Sequence, residues 1–431
     1  MKQLVFNHDE KKLPKASTNL IPVQLFGKNN QTSYIGNNII DNLCHKPVQI
    51  PPQAMDFLSV AMAVTAADTF VPRSDSEDGW TRELSLELPL FEPIRWQAVR
   101  EDLERTLHFL SGDIWHFKFI AGGLRPQSPV PRRWRENRQL IADLDCVSLF
   151  SGGLDSAIGV IDLLHSGHKP LLVSHAYKGD KTHQDTIKSR LSESFINYQF
   201  NADPHCDCPS DITMRTRSFN FIAFGIISVC ILQQVTSNNS LELIIPENGF
   251  ISLNAPLTLR RIGSLSTRTT HPFFIKSMCK ILKAVGLPNI IQNPYQFMTK
   301  GEMIANCSDK NILQTILDDT VSCSHWHRTN QQCGICVPCL IRRSAVLVGN
   351  IKERIAYQND NVKSVLDSRN KNDDIQSIML AMEKVKSTNV KSWILNNAPL
   401  PYSDIDKYEQ VFRNGLEEVK KYLIHSGIAI Q

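Results

Sequence analysis

Residues 151–156 read Ser-Gly-Gly-Leu-Asp-Ser, between an apolar run ending at Phe150 and a stretch whose apolar residues return at helical spacing. Two glycines allow backbone angles closed to other residues. Successive N–H groups at 151–153 can then converge on one point and form an anion nest. The helix that follows aims its positive end at the same point, and Ser151 and Ser156 add hydroxyl donors. A phosphate group satisfies this arrangement. The other glycine-rich chemistries, GxxxxGK[ST], GxGxxG and GxSxG, are not matched here. A second set is Cys323, Cys333, Cys336 and Cys339, spaced C-x9-C-x2-C-x2-C. Four thiolates at this spacing close a tetrahedral shell around Zn2+ with no open position, so the ion's role is structural. Gly334 relaxes the backbone inside the knuckle. His325 or His327 can replace one ligand, and an iron–sulfur cluster suits the same donors, so both alternatives stay open.

The elements that must position these residues follow from periodicity. Between residues 140 and 320, short apolar runs (146–150, 170–176, 241–246) alternate with helical stretches (154–165, 183–195, 216–235, 273–285). That alternation implies an α/β fold, a parallel sheet with helices on both faces. Residues 1–48 are polar and irregular, with few periodic segments. Residues 53–67 read as a buried helix, Leu84 to Leu90 as a strand with one wet face, 96–110 as a helix and 114–120 as a strand. Together they suggest a small N-terminal α+β domain over 1–123, placed to dock a partner. A Pro/Arg-rich linker follows at 124–140, then the core domain at 141–348 and a helical C-terminal extension at 349–431. A chain of 431 residues has room for about two to four such units.

Net charge is only +4, from 47 basic and 43 acidic residues, which argues against a protein that coats nucleic acid. The start, MKQLVFNHDEKK, has no apolar core of a secretory signal. The most apolar run, FIAFGIISVCIL at 221–232, is too short to span a bilayer and reads as a core helix, so no membrane partner is expected. Eleven cysteines without a signal fit a reducing compartment, and a cytoplasmic location is expected.

SGGLDS fits the SGGxDS signature of the PP-loop ATP pyrophosphatases. With CGICVPCLIR, ending at Arg342, it resembles the 7-cyano-7-deazaguanine synthase (QueC) family over about residues 145–348. TRSFNFIAFG (216–225) is similar to a family helix and places Arg217 against ATP. TKGEM (299–303) is similar to a segment near the family's active site and points to Lys300 and Glu302. The resemblance implies the adenine-nucleotide alpha-hydrolase fold, ATP and Mg2+ as cofactors, and Ser151, Gly152, Gly153, Leu154, Asp155, Ser156 and Arg217 as nucleotide-binding residues. Asp155 would position magnesium or the loop. Family members adenylate 7-carboxy-7-deazaguanine, admit ammonia to give the amide, then convert the amide to a nitrile with a second ATP. On that reading Asp155, Ser156 and Lys300 are the catalytic candidates, and Lys300 holds the substrate carboxylate or the α-phosphate.

The departures from the family carry further expectations. Residues 246–272 replace a shorter family segment. Glu247 and Asn248 follow a strand there, where open α/β sheets bind ligands, and can read the base of a deazaguanine. Arg260, Arg261, Arg268 and His271 add positive charge. Tyr177 and His183 are candidate adenosine or substrate contacts. Cys206 and Cys208, two apart with no clear partners, read as a loop. The added N- and C-terminal regions resemble extended QueC-like proteins of bacterial antiphage operons, above all the QueC-like component of the Qat system. That implies a ligase whose acceptor is an amine of a partner protein from the same operon, or ammonia. Two rivals stand beside it: a tRNA-modifying adenylating enzyme, for which the arginines at 125–138 and 260–268 are the support, and a non-catalytic nucleotide-binding defence subunit.

Overall fold

The computed structural model describes all residues except 29–31, 127, 129–130, 177–179, 192–194, 208–209, 212–214, 259–267, 369–372 and 431, and leaves aside the side chains of 131–134, 180, 327 and 328. The fold is α/β, built on two five-stranded sheets in which every pairing is parallel.

The first sheet contains β1 (Lys2–Asn7), β2 (Leu20–Leu25), β3 (Ser33–Ile35), β4 (Glu83–Leu90) and β5 (Ile114–Ala121), in the order β3-β2-β1-β4-β5. Helix α1 (Pro52–Phe70) joins β3 to β4, and α2 (Arg100–Ser111) lies between β4 and β5. This corrects two expectations. Residues 1–48 carry three strands, and the unit is parallel α/β rather than α+β. The alternating Leu84–Leu90 pattern suggested otherwise because parallel sheets are normally covered on both faces and lose their polar alternation. Here no helix among the described residues covers the second face. No α-helix joins β1 to β2, and the open face carries surface ion pairs such as His116–Glu83 (3.1 Å) and Lys118–Glu87 (2.8 Å).

The second sheet contains β6 (Cys146–Leu149), β7 (Pro170–His175), β8 (Asn197–Phe200), β9 (Leu243–Ile244) and β10 (Ile291–Gln292), in the order β10-β9-β6-β7-β8. Helix α3 (Leu154–His165) joins β6 to β7, α4 (Asp180–Arg190) joins β7 to β8, α5 (Arg217–Thr236) joins β8 to β9, and α6 (Gly249–Leu253) and α7 (Pro272–Val285) lie between β9 and β10. Helices cover both faces: Leu171 and Val173 enter one apolar cluster with α5, while Leu172 enters another with Ile158 and Ile161 of α3.

Counted from the first strand of each unit, the two sheets have the same order: third, second, first, fourth, fifth. The helices between the units also meet in reciprocal pairs. At one end of the α1–α5 contact Gln234 Nε2 donates to Gln49 O (3.2 Å), and at the other Thr216 Oγ donates to Asp68 (2.8 Å). Phe57 meets Phe219 edge to face at 5.5 Å between them. For α2 and α7, Lys280 bonds Asp102 and Phe109 meets Phe273 at 4.9 Å. Edge strand β3 pairs antiparallel with the segment after β8, through Tyr34 and His205. The two units therefore face each other about an approximate twofold axis, and one apolar core runs through both.

That arrangement explains why α1 and α5 lack helical amphipathicity: each is buried on nearly all sides between the sheets. The only described helix long and apolar enough to cross a membrane is α5, and 72% of the relevant window is buried inside the fold. The Pro/Arg-rich segment contains a helix, Pro131–Ile141, whose Arg138 donates to the Gln234 and Val235 carbonyls at the end of α5. After β10 come α8 (Lys300–Asn306), α9 (Val337–Val348), α10 (Asp373–Ser387) and α11 (Ile405–His425), so the C-terminal extension is helical as expected.

Candidate functional site

Strand β6 is buried along its length, and Phe150 N extends its pairing by donating to Val173 O (2.7 Å). The chain then turns at Gly152, whose φ of +81° is the left-handed region that favours glycine. Helix α3 starts at Leu154 with Gly153 at its N-cap, so no side chain caps it. Ser151 and Ser156 close the turn, with hydroxyls 3.2 Å apart, and Ser156 Oγ donates to Gly153 O (2.9 Å). Strand, glycine turn and helix N-terminus thus stand as the sequence implied.

In front of this turn lies a cavity of about 290 Å3, at the small end for small-molecule sites. Ser151, Gly153 and Ser156 line it together with Arg217 and Ser218, the first residues of α5; Glu247, Thr269, Thr270 and Ser322 add to the polar lining, and Phe221 and Trp326 supply apolar surface. Helix α5 also lacks a side-chain cap, although Thr216 stands at its N-cap. Two uncapped helix N-termini therefore border one cavity, each with the partial positive charge of its macrodipole. The hydroxyls of Ser218 and Thr270 are buried without a hydrogen-bond partner. Buried polar groups are almost always paired, so these two closed-off hydroxyls, in residues that line the cavity, lack the partners such groups normally have.

Beneath the turn, Asp155 is only 5% exposed. It accepts from Asn248 N (3.1 Å) and Asn248 Nδ2 (2.7 Å) and forms a short ion pair with Lys300, itself 4% exposed. Burial alone would raise the Asp155 carboxyl, but the Lys300 charge and hydrogen bonds from Glu247, Lys300 and Asn248 hold it below the ordinary carboxylate range. Glu247 goes the other way: burial first, then the Asp155 charge beside it, push it well above its usual range. Two neighbouring buried carboxyls resist ionising together, which favours the proton on Glu247.

This proton sets a pH dependence. A carboxyl whose folded pKa is raised contributes stability at low pH and loses it as pH rises through the folded value. Glu247→Gln keeps the hydrogen bond to Asp155 without the titration. It is expected to flatten the alkaline limb of a stability-versus-pH curve measured by chemical denaturation, while the acid limb, set by Asp155, stays. An unchanged alkaline limb would show that Glu247 is ionised in the fold.

The geometry redistributes several expected roles. Glu247 edges the cavity. Asn248 is fully buried: Oδ1 accepts from Ile251 N (3.0 Å), capping α6, and Nδ2 serves Asp155, so neither end faces a base. Lys300 bonds Asp155 rather than the cavity, and Leu154 is a core residue. Arg268 donates to Phe109 O (2.7 Å) and lies over the Phe109 ring, tying this segment to the N-terminal unit. His271 caps α7 by accepting from Phe273 N (3.1 Å), and burial followed by the Arg268 charge lowers it to about 3, so it adds no charge at neutral pH. His183 packs on Trp326 at 4.9 Å, one residue removed from the cavity. Cys206 lies in a loop as expected, but it is disulfide-bonded, which corrects the expectation that it has no partner; Cys208, Tyr177, Arg260 and Arg261 fall outside the described residues.

The four cysteine sulfurs, all buried, lie within 4.8 Å of one another. His325 offers its backbone N–H to Cys323 Sγ (3.3 Å) and is not among the clustered ligands; the His327 side chain is outside the described set. Cys333 N and Cys336 N also donate to cluster sulfurs at 3.3 Å each, the usual support of a thiolate knuckle. Gly334, at φ +81°, makes the turn. The donor set suits a structural Zn2+.

Sequence reasoning missed two supports. Arg342, fully buried, bonds Glu353 (2.7 Å), Thr320 Oγ (2.8 Å) and Leu317 O (2.7 Å), and so fixes the segment that leads to Val321 and Ser322 on the cavity wall. Glu418 of α11 accepts from Gly301 N (3.2 Å) and, through a short bond, from Thr299 Oγ, fastening the C-terminal extension to the Lys300 turn. A buried glutamate in an amphipathic helix was the available signal for the second. The wall residues Thr270 and Ser322 sit in loops, where no periodicity announces them.

No protein-family model matches the chain, and no curated protein matches it.

Proposed function

We propose that this chain is an ATP-dependent, adenylate-forming C–N ligase of the PP-loop type that acts on a 7-deazaguanine carboxylate. Its acceptor is an amine of a partner protein or, failing that, ammonia, and its setting is antiphage defence. The observation that carries the proposal is the cavity bordered by two uncapped helix N-termini, with orphaned hydroxyls on its walls. A chain of phosphates has the charge and the acceptor density that this lining lacks.

In this reading the Ser151–Ser156 turn holds the leaving pyrophosphate, and Arg217 and Ser218 face the α-phosphate. The substrate carboxylate attacks the α-phosphorus, the Pα–O bond to pyrophosphate breaks, and an acyl adenylate forms. The amine then adds to the acyl carbon, loses a proton and expels AMP, leaving an amide. Preorganised donors around the transferring phosphorus supply the main stabilisation. Asp155 acts as the anchor of the loop through Lys300 and Asn248. Glu247, the one acidic side chain on the described cavity wall, would hold magnesium after giving up its proton, and the ion would supply charge neutralisation at the phosphates. The four-cysteine knuckle would hold zinc in a structural role, with Cys323 at the edge of the cavity.

The test is to incubate the chain with 7-carboxy-7-deazaguanine, ATP and magnesium, with and without operon partners, and to measure AMP and pyrophosphate. Both are expected, together with a deazaguanine mass added to a partner. Arg217→Ala is expected to lower kcat/KM by about 100-fold, as loss of a charged hydrogen bond to phosphate does. Absence of AMP under every condition would end the proposal.

A further inference from the structure

At the opposite end of β6 from the glycine turn, three side chains of different donor types converge. Cys146 opens β6 and Asp145 precedes it, while His168 and Lys169 form the turn that leads from α3 into β7. Gly167, at φ +82°, lets α3 close: its N–H donates to Leu164 O (2.9 Å) and that of His168 to Leu163 O (2.9 Å). The pairing of β6 with β7 sets Cys146 opposite Pro170, so His168 arrives beside the start of β6. Asp145 is held from both ends. Its N–H donates to Lys169 O (3.1 Å), and Lys169 N donates back to Asp145 Oδ1 (3.0 Å). The other carboxylate oxygen, Oδ2, pairs with His168 Nδ1 at 3.0 Å. An Asp–His pair with both side chains about half-exposed is by itself an ordinary surface contact. The third donor is what sets this one apart: the Cys146 thiol, buried, is brought to the same point. One donor atom from each of Asp145, Cys146 and His168 lies within 4.8 Å of the other two. A tetrahedral zinc with bonds of about 2.0–2.3 Å keeps its ligand atoms about 3.3–3.6 Å apart, so a shift of about 1 Å by the half-exposed imidazole closes the set. Glu242, just before β9 and electrostatically coupled to Cys146, adds negative charge that a cation offsets.

We propose that Asp145, Cys146 and His168 form a second metal site, for Zn2+ or a like divalent ion such as Co2+, with water in the fourth position. Thiolate and imidazole donors select these ions over Mg2+ and Ca2+, which prefer oxygen alone. The thiol gives its proton to solvent as the ion binds. The knuckle offers four buried thiolates, whereas this site offers three donors, two of them half-exposed. It is therefore the weaker of the two: dialysed protein keeps one zinc, in the knuckle, and takes up a second when the ion is supplied. An ion here ties the start of β6 to the turn before β7, at the sheet edge away from the cavity, and the proposal does not depend on the nucleotide reading.

The test uses full-length protein, loaded with zinc and dialysed so that the knuckle is filled, then titrated with Zn2+ by calorimetry and with Co2+ by absorption. Wild type is expected to bind one further equivalent of either ion. Bound Co2+ should show a thiolate-to-cobalt charge-transfer band in the near ultraviolet and the visible bands of a tetrahedral ion. His168→Ala changes a half-exposed turn residue and is expected to weaken the further equivalent by more than about 100-fold, since loss of an outer-shell partner alone costs about 10- to 100-fold. Cys146→Ser is expected to abolish the charge-transfer band while the knuckle keeps its zinc. Thermal melting gives a separate readout: added Zn2+ raises the melting temperature of wild type in a concentration-dependent way and leaves that of His168→Ala unmoved. No further equivalent in wild type, a further equivalent that both variants bind as wild type does, a cobalt band that survives in Cys146→Ser, or an equal thermal shift in His168→Ala overturns the proposal. Should Cys146→Ser fail to fold, the wild-type cobalt spectrum and His168→Ala decide it: tetrahedral bands without thiolate charge transfer would exclude Cys146 as a ligand and overturn the site.

Discussion

Lys300→Met is expected to destabilise the fold by about 3–5 kcal/mol, the usual result of leaving one member of a buried ion pair alone. Asp155 and Lys300 are both at least 95% buried and are paired through a short contact. In wild type the Asp155 pKa is depressed on folding, so the carboxylate contributes stability above its ordinary range and loses it as pH falls through the folded value. In the variant, burial acts on Asp155 without a cation. Its folded pKa then rises, and the sign reverses: stability is greater in acid and declines toward neutral pH. Urea denaturation across pH reads both effects. Lys300→Arg does not rescue fully, since a planar guanidinium does not fit where one ammonium fills the space between Asp155 and the Thr299 turn. A Lys300→Met protein with wild-type stability and an unaltered pH profile would mean that the lysine faces the cavity instead.

Cys336→Ser is expected to abolish stoichiometric zinc and to loosen the C-terminal third of the chain. Structural zinc contributes on the order of 10 kcal/mol to local folding. The four cysteines belong to the same apolar cluster as Trp393, Phe412 and Val419 of the extension, so the loss does not stay at the knuckle. It also reaches the cavity. Cys323 and Trp326 lie on its wall, and Arg342 of α9, which starts one residue after Cys336, pins the 317–322 segment. Metal analysis should therefore give one zinc in wild type and none in the variant, with a lower melting temperature and weakened ATP binding. The same three changes should follow a strong chelator. Full zinc content in Cys336→Ser would show that three thiolates and another donor hold the ion.

The glycine turn and the cysteine knuckle were legible in the sequence for the same reason: each is a local pattern. The turn at 151–156 needs glycine to reach the left-handed region, and α3 follows at once, so neither depends on distant parts of the chain. The cysteine knuckle is set by spacing within 17 residues. The helices 217–236 and 272–285 and the strands 83–90, 114–121, 146–149 and 170–175 were likewise readable within a few residues. What failed was non-local. Strand β3 has only three residues, β2 holds Pro22, and Val5 and Leu20 stand among the otherwise polar positions of β1 and β2, so their alternation is weak. Strand β10 has two residues, held by its neighbour rather than by propensity, whereas β9, equally short, lies within the apolar run read at 241–246. The parallel character of the first sheet depends on which strand lies beside which, and composition carries no record of that. The destinations of Asn248 and Lys300 were misjudged for a related reason. Their types suit ligand contact, but a buried Asp155 claims both.

The twofold arrangement of the units has a stoichiometric consequence. An ordinary symmetric dimer of identical subunits carries every feature twice, and each substitution is felt in both halves. Here one half carries the glycine turn at 151–156 and the helix after it, while the other has no α-helix between its first two strands and offers a sheet face to water. Ligand titration should accordingly saturate at one equivalent per chain with a Hill coefficient of one. Each half is free to diverge alone, one toward chemistry and the other toward recognition, because a change in either is not mirrored across the axis.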